Sequence, residues 1–431
     1  MIAPSRGAID LVAIGDSMTA EYTDLDGFQD YGDVTVPGWQ SRSWYEVLAL
    51  TRAGAIGVGG SSSNWDLVRS GGHEYNWATP GATAADVRHR WSSTSFENLL
   101  TFYGPYNYTL EDHLENDAEA AAILLGANDF NNAYGTIANG SSPSDLIAQV
   151  VADIQWVVNR VQGAKSSLPI VLVSVPDVGA TPDVRAAFPD PIKRARVTAA
   201  IETVNSNLQA IAAAEGIAYA DIYALTRDIG LGQVLYFGAV DLINAGDPDN
   251  NPRYLFCRDG FHPNTSAQTK IANIIIGALN ARYGFGVPII QNSEALALLD
   301  IDPDQPYFDW LAAFGVSKKG MLADPDADGS KNLIEYALLG GDPARPGGHA
   351  PLMAVRTTTQ GGSQLTLTYH PDPAHARHVR ISAECSRDLI AWDTAVDLSP
   401  NADGSWIASI SADLSPVFLR LRIEIIGPDE I

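Results

Sequence analysis

Cysteine is almost absent: the 431 residues contain two, Cys257 and Cys385. So low a count excludes a disulfide-built scaffold, and two isolated thiols in different parts of the chain are the expectation. Basic residues are also scarce. Twenty-seven Lys and Arg face 51 Asp and Glu, a net charge of −24, which repels phosphate backbones and anionic bilayers and argues against nucleic acid as a partner. No run of about 18 apolar residues occurs, which excludes a membrane-spanning helix. The start, "MIAPSRGAIDLVAIG", lacks the long apolar stretch of a signal peptide. Either the protein works in the cytosol or a leader precedes the numbered residues.

What is present is a globular composition, 46% hydrophobic residues with a mean hydropathy of −0.03, at a length that calls for more than one domain. From Ile9 to about Gly286, short apolar runs alternate with helical patterns. "IDLVAIG", "AAAILLGAND", "LPIVLVSVPD" and "GIAYADIYAL" read as strands covered on both faces. Leu146, Val150, Ile154, Val157, Val158 and Val161 recur at helical spacing, and a second helix is expected over 192–214. This alternation predicts a parallel sheet between helices, with sites at the carboxyl ends of the strands. Past Gly286 the texture changes. Residues 287–345 hold a helical pattern around "PYFDWLAAFG" and an acid-rich loop, and "GGDPARPGGHAP" reads as a linker. In 346–431, period-two alternation in "SQLTLTY" and "FLRLRIEI" predicts a small antiparallel β-sandwich. The expected domains are thus 1–286, 287–345 and 346–431.

In "AIGDSMTAEY" the first strand ends on Gly15, Asp16 and Ser17. A serine hydroxyl becomes a useful nucleophile only when a base takes its proton. Of the histidines in the α/β region, His73, His89 and His113 read as ordinary polar positions. His262 alone brings its own acid, Asp259, three residues earlier in "CRDGFHPNTSAQTK". Such a carboxylate can accept from one ring nitrogen and leave the other for the serine. Thr265 and Gln268 are expected to form a capping box starting the next helix. Oxyanion donors are expected in "NWATPGATAADV", at Gly81, and in "LLGANDF", at Asn128, with the Ser17 N–H as a third. Asp16, Asp129 and Asp221 read as structural.

Gly-Asp-Ser after the first strand, a glycine in a second block, Gly-x-Asn-Asp after a third and Asp-x-x-His near the end occur in order over residues 9 to about 281. Together they resemble the four blocks of the SGNH/GDSL hydrolases. That resemblance implies a flavodoxin-like three-layer αβα fold and ester hydrolysis through an acyl-serine. It makes Ser17 the nucleophile, His262 the base, Asp259 its orienter, and Ser17, Gly81 and Asn128 the oxyanion donors. Met18 stands where the family often has leucine, behind the serine.

"DPDADGSKNLIE", residues 324–335, matches D-x-D-x-D-G-x5-E in every specified position. Asp324, Asp326, Asp328, Ser330, Asn332 and Glu335 are expected to hold Ca²⁺, with Gly329 making the sharp turn. Lys331 stands where a paired EF-hand has an aliphatic residue, which counts against a paired sensor. With "NLIEYALLGGDP" the segment looks like the single dockerin-like calcium loops that precede β-rich tails in large exported bacterial proteins. That resemblance implies a secreted, periplasmic or cell-surface location.

The resulting expectation is a serine esterase acting on small acyl groups, acetyl first, borne by carbohydrate. It needs no cofactor for its chemistry, carries structural Ca²⁺, and touches glycans or a cell surface through its C-terminal domain. Two alternatives stay open: a lipase or thioesterase for longer chains, and a glycan-binding or adhesive protein with an idle triad. Trp39, Trp44, Trp65, Trp77, Trp91, Tyr31, Tyr45 and Tyr75 cluster between the first block and just past the second, either as core or as a stacking surface for sugar rings or acyl chains.

Overall fold

A computed structural model describes residues 7–22, 41–62, 72–92, 109–249, 251–317, 319–347, 352–359, 362–393, 396–412 and 416–431. The chain divides into two compact units: 1–235 with 242–300, and 301–431 with 236–241. Neither expected boundary, at 286 or 345, coincides with this division. Residues 287–300 belong to the first unit, where the Arg52 guanidinium meets the Glu294 carboxylate at 2.8 Å and its Nε donates to the Pro288 carbonyl. Residues 301–345 join the β-rich tail, because their aromatic side chains share a core with its strands.

In the first unit, β1 (Ile9–Gly15), β2 (Ile56–Gly57), β3 (Ala120–Leu124), β4 (Ile170–Val173) and β5 (Ala218–Ala220) form one sheet in the order β2-β1-β3-β4-β5. All pairings are parallel, with Leu11 beside Ala120 and Gly15 beside Leu124. β1, β3 and β4 are almost wholly buried, which is why they read as continuous apolar runs rather than alternating ones. The main helices are α1 (Trp44–Thr51), α2 (Ala84–Ser92), α3 (Ala127–Ala138), α4 (Ser144–Ala164), α5 (Pro191–Glu215) and α6 (Thr265–Tyr283). α1 packs with α6, and α6 with β4 and β5, while α2 packs with α4 and α5 with both α3 and α4. These contacts make the three layers. On α4, Val150, Ile154, Val157, Val158 and Val161 are all buried, so its apolar stripe is turned towards the core.

In this strand order the chain leaves the two sides of β1 in opposite directions. The crevice where that happens is the usual place for a site in an open α/β sheet, and Ser17 follows directly from β1.

The second unit holds α7 (Gln305–Ala313) and α8 (Asn332–Ala337), then β6 (Met353–Thr359), β7 (Gly362–Tyr369), β8 (Val379–Ser386), β9 (Asp397–Pro400), β10 (Trp406–Ser411) and β11 (Phe418–Ile425). β6-β7-β10-β9 form one antiparallel sheet and β8-β11 another. Leu367 and Ala408 from the first sheet meet Ala383, Leu419 and Leu421 from the second in a shared core, as the period-two pattern requires. Arg420 and Arg422 alternate outward and pair with Glu384. Cys257 and Cys385 are free thiols, one in each unit. Among the described residues no helix is long and apolar enough to cross a membrane.

Candidate active site

After Gly15 the chain turns back on itself, with the Thr19 and Ala20 N–H groups donating to the Asp16 carbonyl. A Cβ on Gly15 would lie 2.5 Å from the Thr19 hydroxyl oxygen, so only glycine permits a turn this tight. The turn is braced from the far end of the unit. Gln268, on α6, donates to the Met18 carbonyl at 3.1 Å and to the Tyr22 hydroxyl at 2.8 Å, while its own oxygen accepts from the Trp44 N–H. The Trp44 indole donates to the Thr19 hydroxyl. Gln268 is completely buried, and these bonds satisfy its amide in full. The expected capping box at Thr265 and Gln268 is therefore not formed. Asn264 is the N-cap, its side chain accepting from the Thr265 N–H, which leaves Gln268 free to face the serine turn.

His262 brings the relay together. Its Nε2 lies 2.9 Å from the Ser17 Oγ and its Nδ1 2.5 Å from Asp259 Oδ2. The other Asp259 oxygen accepts from the N–H groups of Phe261 and His262 at 2.9 and 3.0 Å, so the carboxylate is fixed by its own loop. Phe261 and Tyr22 stand edge-on to the imidazole. Ser17 and His262 are both buried. A serine, an imidazole and a carboxylate in this order can move a proton off the hydroxyl and stabilise the imidazolium that results.

Asn128 lies at the start of α3, behind Gly126, whose φ of +111° and close approach to Val175 exclude any other residue. Ser17, Asn128 and His262 line one small pocket with Asp16, Met18, Ala127, Pro176 to Val178, Ala180, Thr181, Thr226, Phe256, Phe261 and Pro263. Met18 thus lines the pocket beside the serine rather than lying only behind it. Gly81, at φ +74°, is not part of this lining. The Asn128 amide donates to the neighbouring Ala82 carbonyl at 3.0 Å, and Asp129 accepts from the Ala84 N–H at 3.0 Å. Asn128 and Asp129 together clamp the 82–84 segment that follows Gly81.

The other histidines lie apart from this relay: His113 pairs with Asp117 at 2.8 Å and His73 with Glu21 at 3.0 Å. Asp221 caps the helix that begins at Ile222. Trp44, Trp77, Trp91 and Tyr45 are buried as core and none lines the pocket. Tyr75 packs against His113. The pocket's aromatic rings are Phe256 and Phe261 instead. Trp39, Trp65 and Tyr31 lie outside the described residues.

Two buried carboxyls beside the serine turn and Asn128 are unusual. Asp16 is fully buried; one oxygen accepts from the Met18 N–H while Oδ2 has no hydrogen-bond partner. Burial, with Asp129 adding repulsion, pushes its pKa up to about 7, and burial holds Asp129 at about 6. Unfolded, Asp16 loses its proton near the ordinary 3.8. Between about pH 4 and 7 the unfolded chain has released that proton and the folded one keeps it, so stability falls as pH rises through this window. Comparing Asp16→Asn with the wild type by denaturant melts isolates the contribution. The wild type is expected to lose up to about 4 kcal/mol relative to the variant between pH 4 and 8, and parallel curves would show that Asp16 ionises normally.

Residues 11–275 match the sequence profile of the family described as GDSL-like Lipase/Acylhydrolase, and the chain belongs to that family. Membership makes the first unit a hydrolase of the esterase/lipase type. No curated protein sequence matches the chain. Among solved structures, the chain is similar to an extracellular lipase from Streptomyces rimosus, at 17% identity and a TM-score of 0.37, covering 63% of this chain and 100% of that one. It is also similar to phospholipase A1 from Streptomyces albidoflavus NA297, at 18% identity and a TM-score of 0.36, covering 64% and 99% respectively.

Proposed function

We propose that the first unit hydrolyses small acyl esters, acetyl above all, borne by carbohydrate, through an acyl-Ser17 intermediate. The observation that carries the reading is the single imidazole held between the Ser17 hydroxyl and the Asp259 carboxylate. Ser17 Oγ attacks the ester carbonyl as its proton passes to His262 Nε2, and Asp259 stabilises the imidazolium. The tetrahedral oxyanion takes hydrogen bonds from the Ser17 and Gly81 N–H groups and the Asn128 amide, each donor worth roughly 3 kcal/mol in such sites. His262 then gives the proton to the departing alkoxide. Water, activated by the same imidazole, releases the acid and restores Ser17. Substrate, water and these protein groups account for every step.

What supports a small acyl group is the pocket itself. Its cavity volume is about 30 Å³, roughly two or three water-sized spheres, between the apolar side chains of Met18, Val178, Phe256 and Phe261. That suits a methyl group rather than a long chain. A carbohydrate partner is supported by the second unit, where Trp406, Tyr369, His370, Asp372, Leu398 and Asp403 line a cavity of about 580 Å³. Aromatic faces beside carboxylates suit sugar rings, which are apolar on one face and hydroxylated at the edge. The acidic loop at 324–335 favours a location outside the cytosol, where millimolar calcium fills even weak sites.

One panel tests this reading. On p-nitrophenyl esters, turnover is expected to drop at least about 10-fold from acetyl to octanoyl, consistent with the methylene discrimination of small pockets, and acetylated polysaccharides are expected to release acetate. Trp406→Ala should slow release from polysaccharide and leave p-nitrophenyl acetate turnover unchanged. A rate that climbs towards octanoyl would make the protein a lipase instead.

A further inference from the structure

The loop 324–335 in the second unit leaves a group of buried oxygens without donors. Carboxylate oxygens of Asp324, Asp326 and Asp328 lie within 4.8 Å of one another. Glu335 is 1% exposed and Asn332 0%, yet both Glu335 oxygens, the Asn332 Oδ1, the Asp324 Oδ1 and the Asp326 Oδ2 have no hydrogen-bond partner. The rest of each group is engaged. Asp324 Oδ2 accepts from the Gly329 N–H, Asp326 Oδ1 from the Asp328 N–H, and the Asn332 amide donates to the Tyr307 hydroxyl at 3.0 Å. So Asp324, Asp326 and Asn332 each spend one polar atom on the protein and keep another unpartnered. Glu335 keeps both, with the negative charges of Asp326, Asp328 and Asp324 acting on it.

Buried carboxylate oxygens that find no donor are costly unless a cation takes them. Four carboxylates and an amide oxygen are hard donors and exclude soft thiophilic metals. A glutamate with two free oxygens and a flexible loop with left-handed residues at Ala327 and Gly329 suit a large ion with many oxygen ligands. They do not suit the small octahedron of Mg²⁺.

We infer that Asp324, Asp326, Asp328, Asn332 and Glu335 bind one Ca²⁺, and that this ion organises the packing of the second unit. The site is self-contained. The N–H groups of Asn332 and Leu333 donate at 2.9 Å to the carbonyls of Ala323 and Met321, so the loop's exit pairs with its own entrance and not with a second loop. One ion per chain and non-cooperative binding follow. The site is also fastened to the core: Glu335 precedes Tyr336 and Ala337, which cluster with Tyr307 and Leu311 of α7 and Val379 of β8, flanked by Ile423 and Ile425 of β11. Occupying the loop therefore fixes α8 against both α7 and the two-stranded sheet.

The test is calcium titration of the EDTA-stripped full chain by calorimetry, with thermal melts and p-nitrophenyl acetate turnover alongside. One Ca²⁺ is expected to bind with a Kd below about 1 mM. Saturating Ca²⁺ should raise the melting temperature of the second unit by about 5 °C or more, and Mg²⁺ should bind more weakly. Glu335→Gln and Asp326→Asn should each weaken binding at least about 10-fold and reduce the shift. Turnover below the melt should be the same with and without Ca²⁺, because every group of the relay lies in the first unit. Identical melts in Ca²⁺ and EDTA with no heat of binding, wild-type affinity in both variants, or turnover lost on chelation below the melt would overturn the inference.

Discussion

Ser17→Ala and His262→Ala are each expected to reduce turnover of p-nitrophenyl acetate by roughly 10⁴-fold or more, with the melting temperature little changed. The size follows from the division of labour: neither the hydroxyl without the imidazole nor the imidazole without the hydroxyl retains the covalent route. Because the two act as one unit, the double variant should be scarcely slower than either single one. Folding is spared because the turn around Ser17 is held by backbone bonds and by Gln268 and Trp44, none of which involves the serine hydroxyl. A fluorophosphonate should label the wild type at Ser17 and neither variant. Unlabelled wild-type protein with no measurable turnover would leave only the adhesive reading, in which the relay is idle.

Asp259→Asn is expected to lower kcat by roughly 10³- to 10⁴-fold with KM nearly unchanged. The asparagine can still accept from the N–H groups of Phe261 and His262 through the atom replacing Oδ1. The atom facing His262 Nδ1 then becomes an amide donor. That donor requires Nδ1 to carry the lone pair, which puts the ring proton on Nε2, pointing at Ser17 where a lone pair is needed. The loop stays and the tautomer is wrong. A loss below 10-fold would mean that Asp259 shapes the loop without orienting the base. Asp259→Ala, which also abandons two backbone donors, should lower stability as well, separating the two roles by melting temperature.

The sequence was most informative where one force dominates. Strands buried on both faces leave uninterrupted apolar runs, so β1, β3, β4 and β5 were legible, and the helix over 144–164 declared itself through its valine stripe. β2, two residues long at the sheet edge, leaves no such trace. The Ser17–His262–Asp259 arrangement was legible because the histidine and its carboxylate share one short loop and the serine follows a strand. Gln268 shows the limit. Its position three residues after Thr265 fits a capping box as well as any real one, and only the tertiary structure reveals that its amide turns inward to the Met18 carbonyl. The tryptophans were ambiguous for the same reason, since an indole filling a core and one lining a cleft look identical in a string of letters. The domain boundaries followed composition, whereas the chain divides where side chains share a core: Tyr307 and Tyr336 draw the acidic-loop region into the β-rich unit.

The brace that Gln268 makes to the serine turn also has a bearing on when the molecule becomes active. The peptide carrying Ser17 emerges early in synthesis, but its imidazole and the amide that steadies its backbone both sit within the last forty or so positions of the first unit. A nascent chain that stops before the loop carrying His262 has neither partner, and contacts closing so long a loop are slow to form. Hydrolytic competence is thereby tied to completion of the whole α/β body, and a truncated or half-made copy would remain chemically silent towards the esters around it.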